Sequence, residues 1–223
     1  DRGCASGYTW DTFDDVRLAA LRLARGLQGL GLRRGAPLGI LASRNCREFY
    51  LADFAAIFEQ LPSVGLQDTL SDEQLAVVVE TTRPQAIVVD AVSLPRVLSP
   101  GRAGRFPFLD WLVVFGHGAE GLPPVPSSGP RLQRLEPLLQ RELPGGWAST
   151  SGVSASTGVI FDDAEGHAAA AAQGIPPDRD DDVYTVVFTS GSTGRPKGTI
   201  MTRRRWVEEM CVDADFWPHV NVS

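Results

Sequence analysis

Residues 189–198 read Thr189-Ser190-Gly191-Ser192-Thr193-Gly194-Arg195-Pro196-Lys197-Gly198, a run dense in glycine and hydroxyls with a single ammonium near its end. Glycine lets a backbone turn its N–H groups inward and approach a ligand closely. The hydroxyls of Thr189, Ser190, Ser192 and Thr193 add donors, and Lys197 supplies a compact point charge. That combination suits a polyphosphate; the plain alternative is a Gly/Ser surface turn, which the same composition also produces. The run is not a Walker A loop, which needs Gly, four residues and then Gly-Lys followed by Ser or Thr. Here Pro196 precedes Lys197 and Gly198 follows it. The hydroxyl that would hold magnesium is missing, and Pro has no N–H to offer a phosphate. A Rossmann fingerprint fails too, because Gly29, Gly31 and Gly35 lie after a predicted helix and before a predicted strand, the wrong order.

A loop of this kind needs a strand to hold it, and Tyr184 to Phe188 has strand composition and runs straight into it. Upstream, helix and strand patterns alternate through about residue 115. Thr9 is a candidate N-cap, and Phe13, Val16, Ala20, Leu23, Ala24 and Leu27 recur at helical spacing until Gly29 and Gly31 end the run. Pro37 to Leu41 reads as a short buried strand, and Arg47 to Gln60 as a helix covered on several sides. Ser71 with Gln74 forms a capping box ahead of Leu75 to Thr82; Ala86 to Val89 and Trp111 to Phe115 are further strands. Strands separated by helix-length segments predict an α/β fold, a parallel sheet flanked by helices. The expected organisation is an α/β region over 1–115, a loop-rich segment over 116–182, and a phosphate-loop strand with a following helix over 183–223. Within the middle segment a helix is expected around Leu132 to Leu143, a helical turn at Ala168 to Ala172, and a solvated acidic run at Asp178 to Asp182.

Charge and composition exclude other classes. With 21 Lys plus Arg against 27 Asp plus Glu the net charge is −6, and an acidic surface is a poor partner for phosphodiester backbones. General nucleic-acid binding is not expected. No apolar run approaches the roughly 20 residues that span a bilayer, so no membrane segment is predicted. The expected place is the cytoplasm, with no more than a peripheral membrane contact in a full-length protein. Cys4, Cys46 and Cys211 are odd in number and lack zinc-type spacing, which predicts reduced thiols and no metal site. Lys197 is the single lysine among 21 basic residues. The chain opens with Asp1 and stops at Ser223 without helix punctuation, which suggests an excerpt from a longer polypeptide.

The segment Phe188 to Gly198 resembles the phosphate-binding signature of the adenylate-forming (AMP-binding) superfamily: acyl-CoA synthetases, luciferases and peptide-synthetase adenylation domains. Tyr8-Thr9-Trp10, Gly31-Leu32-Arg33-Arg34-Gly35 leading to Leu38-Gly39-Ile40-Leu41, and Asn45 are similar to that family's opening helix, first strand and following helix. Leu66-Gln67-Asp68-Thr69-Leu70-Ser71 resembles the long-chain fatty acyl-CoA synthetase branch. The resemblance implies part of a large N-terminal AMP-binding domain and a two-step reaction. A carboxylate attacks the α-phosphate of Mg-ATP to give an acyl-adenylate and pyrophosphate, and a thiol, usually of coenzyme A, takes the acyl group. ATP, Mg2+ and coenzyme A are the implied cofactors, and a carboxylic acid, of long-chain fatty type, the implied substrate. In that scheme Thr189, Ser190, Ser192 and Thr193 donate to the β- and γ-phosphates. Gly191 and Gly194 permit close approach, Gly198 completes the binding set, and Lys197, the implied catalytic residue, neutralises pyrophosphate charge.

Two departures accompany the resemblance. Where the family continues to a Thr-His pair, Met201-Thr202 is followed here by Arg203, a candidate contact for the substrate carboxylate. Gln60-Leu61-Pro62-Ser63-Val64-Gly65 sets a large Gln where a small residue is usual. The segments that would hold adenine, ribose and magnesium, the hinge and a C-terminal catalytic Lys are expected beyond Ser223, so the isolated chain is expected to be inactive. A non-catalytic nucleotide-binding module and an adenylation domain serving a carrier-protein thiol are the competing readings.

Overall fold

The computed structural model describes residues 10–98, 106–116, 129–143, 179–189, 196–206 and 208. Helix α1 (Phe13–Gly29) starts at Thr12, whose hydroxyl and backbone N–H form a reciprocal capping box with Asp15. Thr9, the cap expected from sequence, lies outside the described residues. Thr12 serves because an acidic side chain stands three residues on, and Asp14 and Asp15 complement the positive end of the helix dipole. One face, Ala20, Leu23, Ala24 and Leu27, is almost fully buried. Gly26 lies at a close approach: a Cβ there would sit 2.7 Å from Leu138 Cβ.

Strand β1 (Leu38–Leu41) is followed by α2 (Arg47–Phe58), whose Ala52, Ala55 and Ala56 are buried and short enough to let α1 pack closely. Gln60, directly after the Glu59 C-cap, has φ of 53°, in the left-handed region that favours glycine. Strand β2 (Ser63–Leu66) leads to α3 (Asp72–Thr82), capped by Ser71 and Gln74 in the predicted box. Strand β3 (Ala86–Asp90), helix α4 (Leu94–Leu98) and strand β4 (Trp111–Phe115) complete the region read as alternating from sequence. Cys46 is a free thiol; Cys4 and Cys211 lie outside the described residues.

The middle segment departs from expectation. In place of a helix around Leu132 to Leu143, strand β5 (Arg131–Arg134) pairs in parallel with β4, and α5 spans only Glu136–Leu139. Leu132, Leu135, Leu138 and Leu139 mimic helical spacing, but the open edge of β4 captures the first of them. The Arg131 guanidinium carbon sits over the Trp111 ring, 4.0 Å from its centroid, and helps fasten that edge. Ala168 to Ala172 lies outside the described residues.

Strands β6 (Val183–Thr189) and β7 (Lys197–Thr202) form an antiparallel hairpin. A strand, β7, therefore follows the loop directly, and helical turns begin only at residue 203. Among the described residues seven strands run β5-β4-β3-β1-β2-β6-β7, all parallel except β7. Side chains alternate across the sheet, so Ala86 and Val88 join α1, α2 and α5 in one core while Ile87 and Val89 join α3 and α4 in the other. Burial on both faces is what a parallel sheet requires. Among the described residues no helix is long and apolar enough to cross a membrane.

Candidate functional site

In an open α/β sheet the usual ligand crevice lies beyond the carboxyl ends of the strands at the point where the strand order reverses. Here that point is between β1 and β3, and it is bridged by protein. Asp90, at the end of β3, accepts hydrogen bonds from the Ser43 backbone N–H (2.8 Å), the Ser43 hydroxyl and the Ser93 backbone N–H (2.7 Å). Burial pushes the Asp90 carboxyl up, but these hydrogen bonds win and hold it below the usual carboxylate range. The exposed Thr189 and Lys197 of the candidate loop lie instead toward the other end of the strand order, on the β6–β7 hairpin.

That hairpin carries the described ends of the glycine-rich loop. The register pairs Thr189 with Lys197 and Phe188 with Gly198. Directly opposed residues of an antiparallel pair share a face, so the Lys197 side chain and the Thr189 hydroxyl stand side by side where the loop leaves the sheet. Both are exposed. On the opposite face Gly198 lies over the Phe188 ring, and a Cβ there would meet Phe188 Cζ at 3.0 Å, tighter than an ordinary contact. Phe188 itself is only 5% exposed and anchors the strand in the α3–α4 core. Ser190, Gly191, Ser192, Thr193 and Gly194 lie outside the described residues.

Beside the short β2–β6 ladder, two side-chain hydrogen bonds tie this hairpin to β2 and the turn after it, and neither had a signal in the sequence beyond the motif around Gln67. Thr185 donates its hydroxyl to the Ser63 carbonyl at 3.1 Å, and Gln67 Nε2 donates to the Phe188 carbonyl at 3.4 Å. Behind Ser63 stands Asp53 of α2, whose carboxyl is pushed above its ordinary range by burial and partly drawn back by a hydrogen bond with the Ser63 side chain.

The base of the hairpin is held by charge. Asp178 to Asp182, expected as a solvated acidic run, is a pairing segment over its described part. Asp182 meets Arg34 at 3.0 Å, and Asp180 meets Arg203 and Arg204 at 3.4 Å each. The backbone N–H groups of Arg203 and Arg204 also donate to the carbonyls of Asp182 and Asp180. Arg34, Arg203 and Arg204 supply the partners, and Arg34 stands far from the acidic run along the chain. Arg203 thus lies beyond the end of β7 away from the loop; at about 3.3 Å per strand residue, that is roughly 20 Å from Lys197. The structure brings Thr189, Lys197 and Gly198 together and leaves Arg203 apart from them. Among the described residues no group of three or more His, Cys, Asp or Glu could hold a metal ion.

A long-chain acyl-CoA synthetase of Arabidopsis thaliana (number 6, peroxisomal) is 30% identical to the chain over 201 residues, covering 90% of this chain and 24% of that protein. A second peroxisomal one from the same plant, number 7, is 26% identical over 220 residues, covering 97% and 27%. The chain therefore spans about a quarter of the length of these curated relatives. The solved structure of the anthranilate CoA ligase AuaEII in complex with anthranoyl-AMP shares the fold, with a TM-score of 0.65 at 19% identity over 92% of this chain and 32% of that one. A model of the family described as AMP-binding enzyme matches residues 1–221. With that match spanning nearly the whole chain, and with a mostly parallel sheet ending in a glycine-loop hairpin, the chain belongs to the AMP-binding enzyme family.

Proposed function

We propose that this chain is the phosphate-binding part of an acid–CoA ligase that activates a long-chain fatty acid with Mg-ATP. The observation that carries the reading is the Thr189–Lys197 register pair, which sets a hydroxyl and an ammonium side by side at the mouth of the glycine loop. The names of the relatives, long-chain acyl-CoA synthetases, support the substrate class.

In this reading Thr189, Ser190, Ser192 and Thr193 donate to the β- and γ-phosphates, Gly191 and Gly194 let the backbone close around them, and Gly198 keeps β7 against β6. Lys197 neutralises charge that grows on pyrophosphate as the acid carboxylate displaces it from the α-phosphate. The contribution is positioning and electrostatic stabilisation of a leaving group. No residue need act as general base, because a carboxylate is already a nucleophile at neutral pH. Magnesium enters with the nucleotide as substrate. Coenzyme A takes the acyl group in the second step. Arg203 stands where the family's His would face the carboxylate, and such a role requires its pair with Asp180 to open.

Acid-dependent ATP–pyrophosphate exchange is the test. A longer protein that carries this chain at the full length of its relatives is expected to exchange with long-chain fatty acids and to release acyl-CoA when coenzyme A is added, while the isolated 223-residue chain shows no exchange. Absence of exchange by the longer protein with every acid offered overturns the enzymatic reading in favour of a nucleotide-binding module. Acyl transfer to a carrier-protein thiol and not to coenzyme A overturns the choice of acceptor.

A further inference from the structure

The β2–β6 ladder is short. Its register pairs are Ser63 with Thr185 and Val64 with Val186, and the pairing goes no further toward the loop. The last turn of backbone before the glycine loop, Phe188 and Thr189, is therefore paired with β7 on one side only. On the β2 side the Phe188 carbonyl is met by a side chain, the Gln67 carboxamide, whose Nε2 donates to it at 3.4 Å. Gln67 follows β2 directly and is itself exposed, so the contact is not a by-product of core packing.

The turn that carries Gln67 is in turn gripped from a distant element. Arg96, on α4, directs Nη1 to the carbonyl and to the carboxylate of Asp68 (3.0 and 3.2 Å), Nη2 to the Leu70 carbonyl, and Nε to the Asp72 carboxylate at 3.0 Å. A planar guanidinium serving three residues of one turn leaves that turn little freedom. Gln67 is thus presented to β6 from a fixed platform at the point where the sheet's own ladder has run out.

We propose that Gln67 is a positioning residue for the phosphate site: its N–H replaces the missing β2 ladder bond at Phe188 and fixes the direction of the strand end that carries Thr189 opposite Lys197. This rests on the phosphate-loop reading above. A positioning role makes a specific claim about kinetics. Losing the donor leaves the fold and the acid site alone and loosens the grip on nucleotide.

The test uses the longer protein with three variants assayed for ATP–pyrophosphate exchange and melting temperature. Gln67→Glu keeps the shape and replaces the N–H by an oxygen that repels the carbonyl; Gln67→Lys keeps a donor; Lys197→Ala removes the loop cation. Expected are a rise of about fivefold in the KM for ATP for Gln67→Glu, the scale of one neutral hydrogen bond, an unchanged KM for the acid, an unchanged melting temperature, and recovery toward the wild-type KM for Gln67→Lys. If Lys197→Ala is defective while Gln67→Glu matches wild type, or if Gln67→Glu lowers the melting temperature and affects both substrates alike, the positioning role is overturned and the phosphate-loop reading stands. If Lys197→Ala itself uses ATP as wild type does, the phosphate-loop reading falls and takes the role of Gln67 with it.

Discussion

Adding one methyl group at Gly198 is the sharpest probe of the hairpin. The backbone there is not in the left-handed region, so alanine costs nothing in dihedral strain and acts only through its Cβ. That atom would lie 3.0, 3.2 and 3.4 Å from Cζ, Cε1 and Cε2 of Phe188, against about 3.5–4.0 Å for an ordinary carbon–carbon contact. The ring cannot easily retreat: Phe188 is 5% exposed and packed in the α3–α4 core, and its carbonyl is held by Gln67. Among the described residues strand β7 is the edge of the sheet and pairs with β6 alone, so β7 gives way by about half an ångström. Overpacking a core costs about 1–3 kcal/mol, and an edge strand that can move places the loss near 1 kcal/mol. Lys197 is the adjacent residue and moves with the strand. Since a 1 Å misplacement at a reacting centre costs on the order of a hundredfold, half of that gives a roughly tenfold slower adenylation, or about 1.4 kcal/mol of barrier. Rapid-quench measurement of acyl-adenylate formation in the longer protein, alongside a thermal melt, reads both quantities. Combining Gly198→Ala with Phe188→Leu, which removes the ring atoms in the way, should restore most of the rate. A Gly198→Ala enzyme that melts lower yet forms adenylate at the wild-type rate would refute the coupling of β7 to Lys197.

Lys197→Arg and Lys197→Ala are each expected to slow adenylate formation at least about tenfold with little change in melting temperature, because an exposed loop-end side chain adds little to the core. A wild-type rate for the Arg variant would show that the planar fork serves as well as the point charge. Glu59, at the end of α2, is pushed up to about 7 from an ordinary 4.5 by burial, only partly offset by Arg25. Between those values the unfolded chain is ionised while the folded one keeps its proton, so stability is full below about pH 4.5 and falls as pH rises through 7. The ceiling of that loss is about 3 kcal/mol, reduced to about 1 kcal/mol because the carboxyl is partly solvated. Denaturation of the longer protein from pH 5 to 8 should show this slope in wild type and not in Glu59→Gln; equal slopes would exclude Glu59 as its source.

Local signals carried much of the fold. The capping box at Ser71 and Gln74, the strand at Trp111–Phe115 and the alternation of helix and strand depend on neighbours within a few residues, and they are legible wherever caps and β-branched runs do not compete. The glycine run was legible only as composition, which suits a polyphosphate and a Gly/Ser surface turn alike. Elements whose stability comes from a partner far along the chain were hidden. Strand β5 looked helical because nothing local says that the edge of β4 is open, and the acidic run looked solvated because its arginines arrive from residues 34 and 203–204. Sequence alone determined which groups could meet a phosphate. Tertiary structure decided where they stand: the bridged crevice at Asp90, the hairpin that faces Lys197 toward Thr189, and the carboxamide of Gln67 at the end of a short ladder. Each of these is a contact between segments tens of residues apart, set by the order of strands in the sheet, and no pattern of spacing along the chain encodes that order.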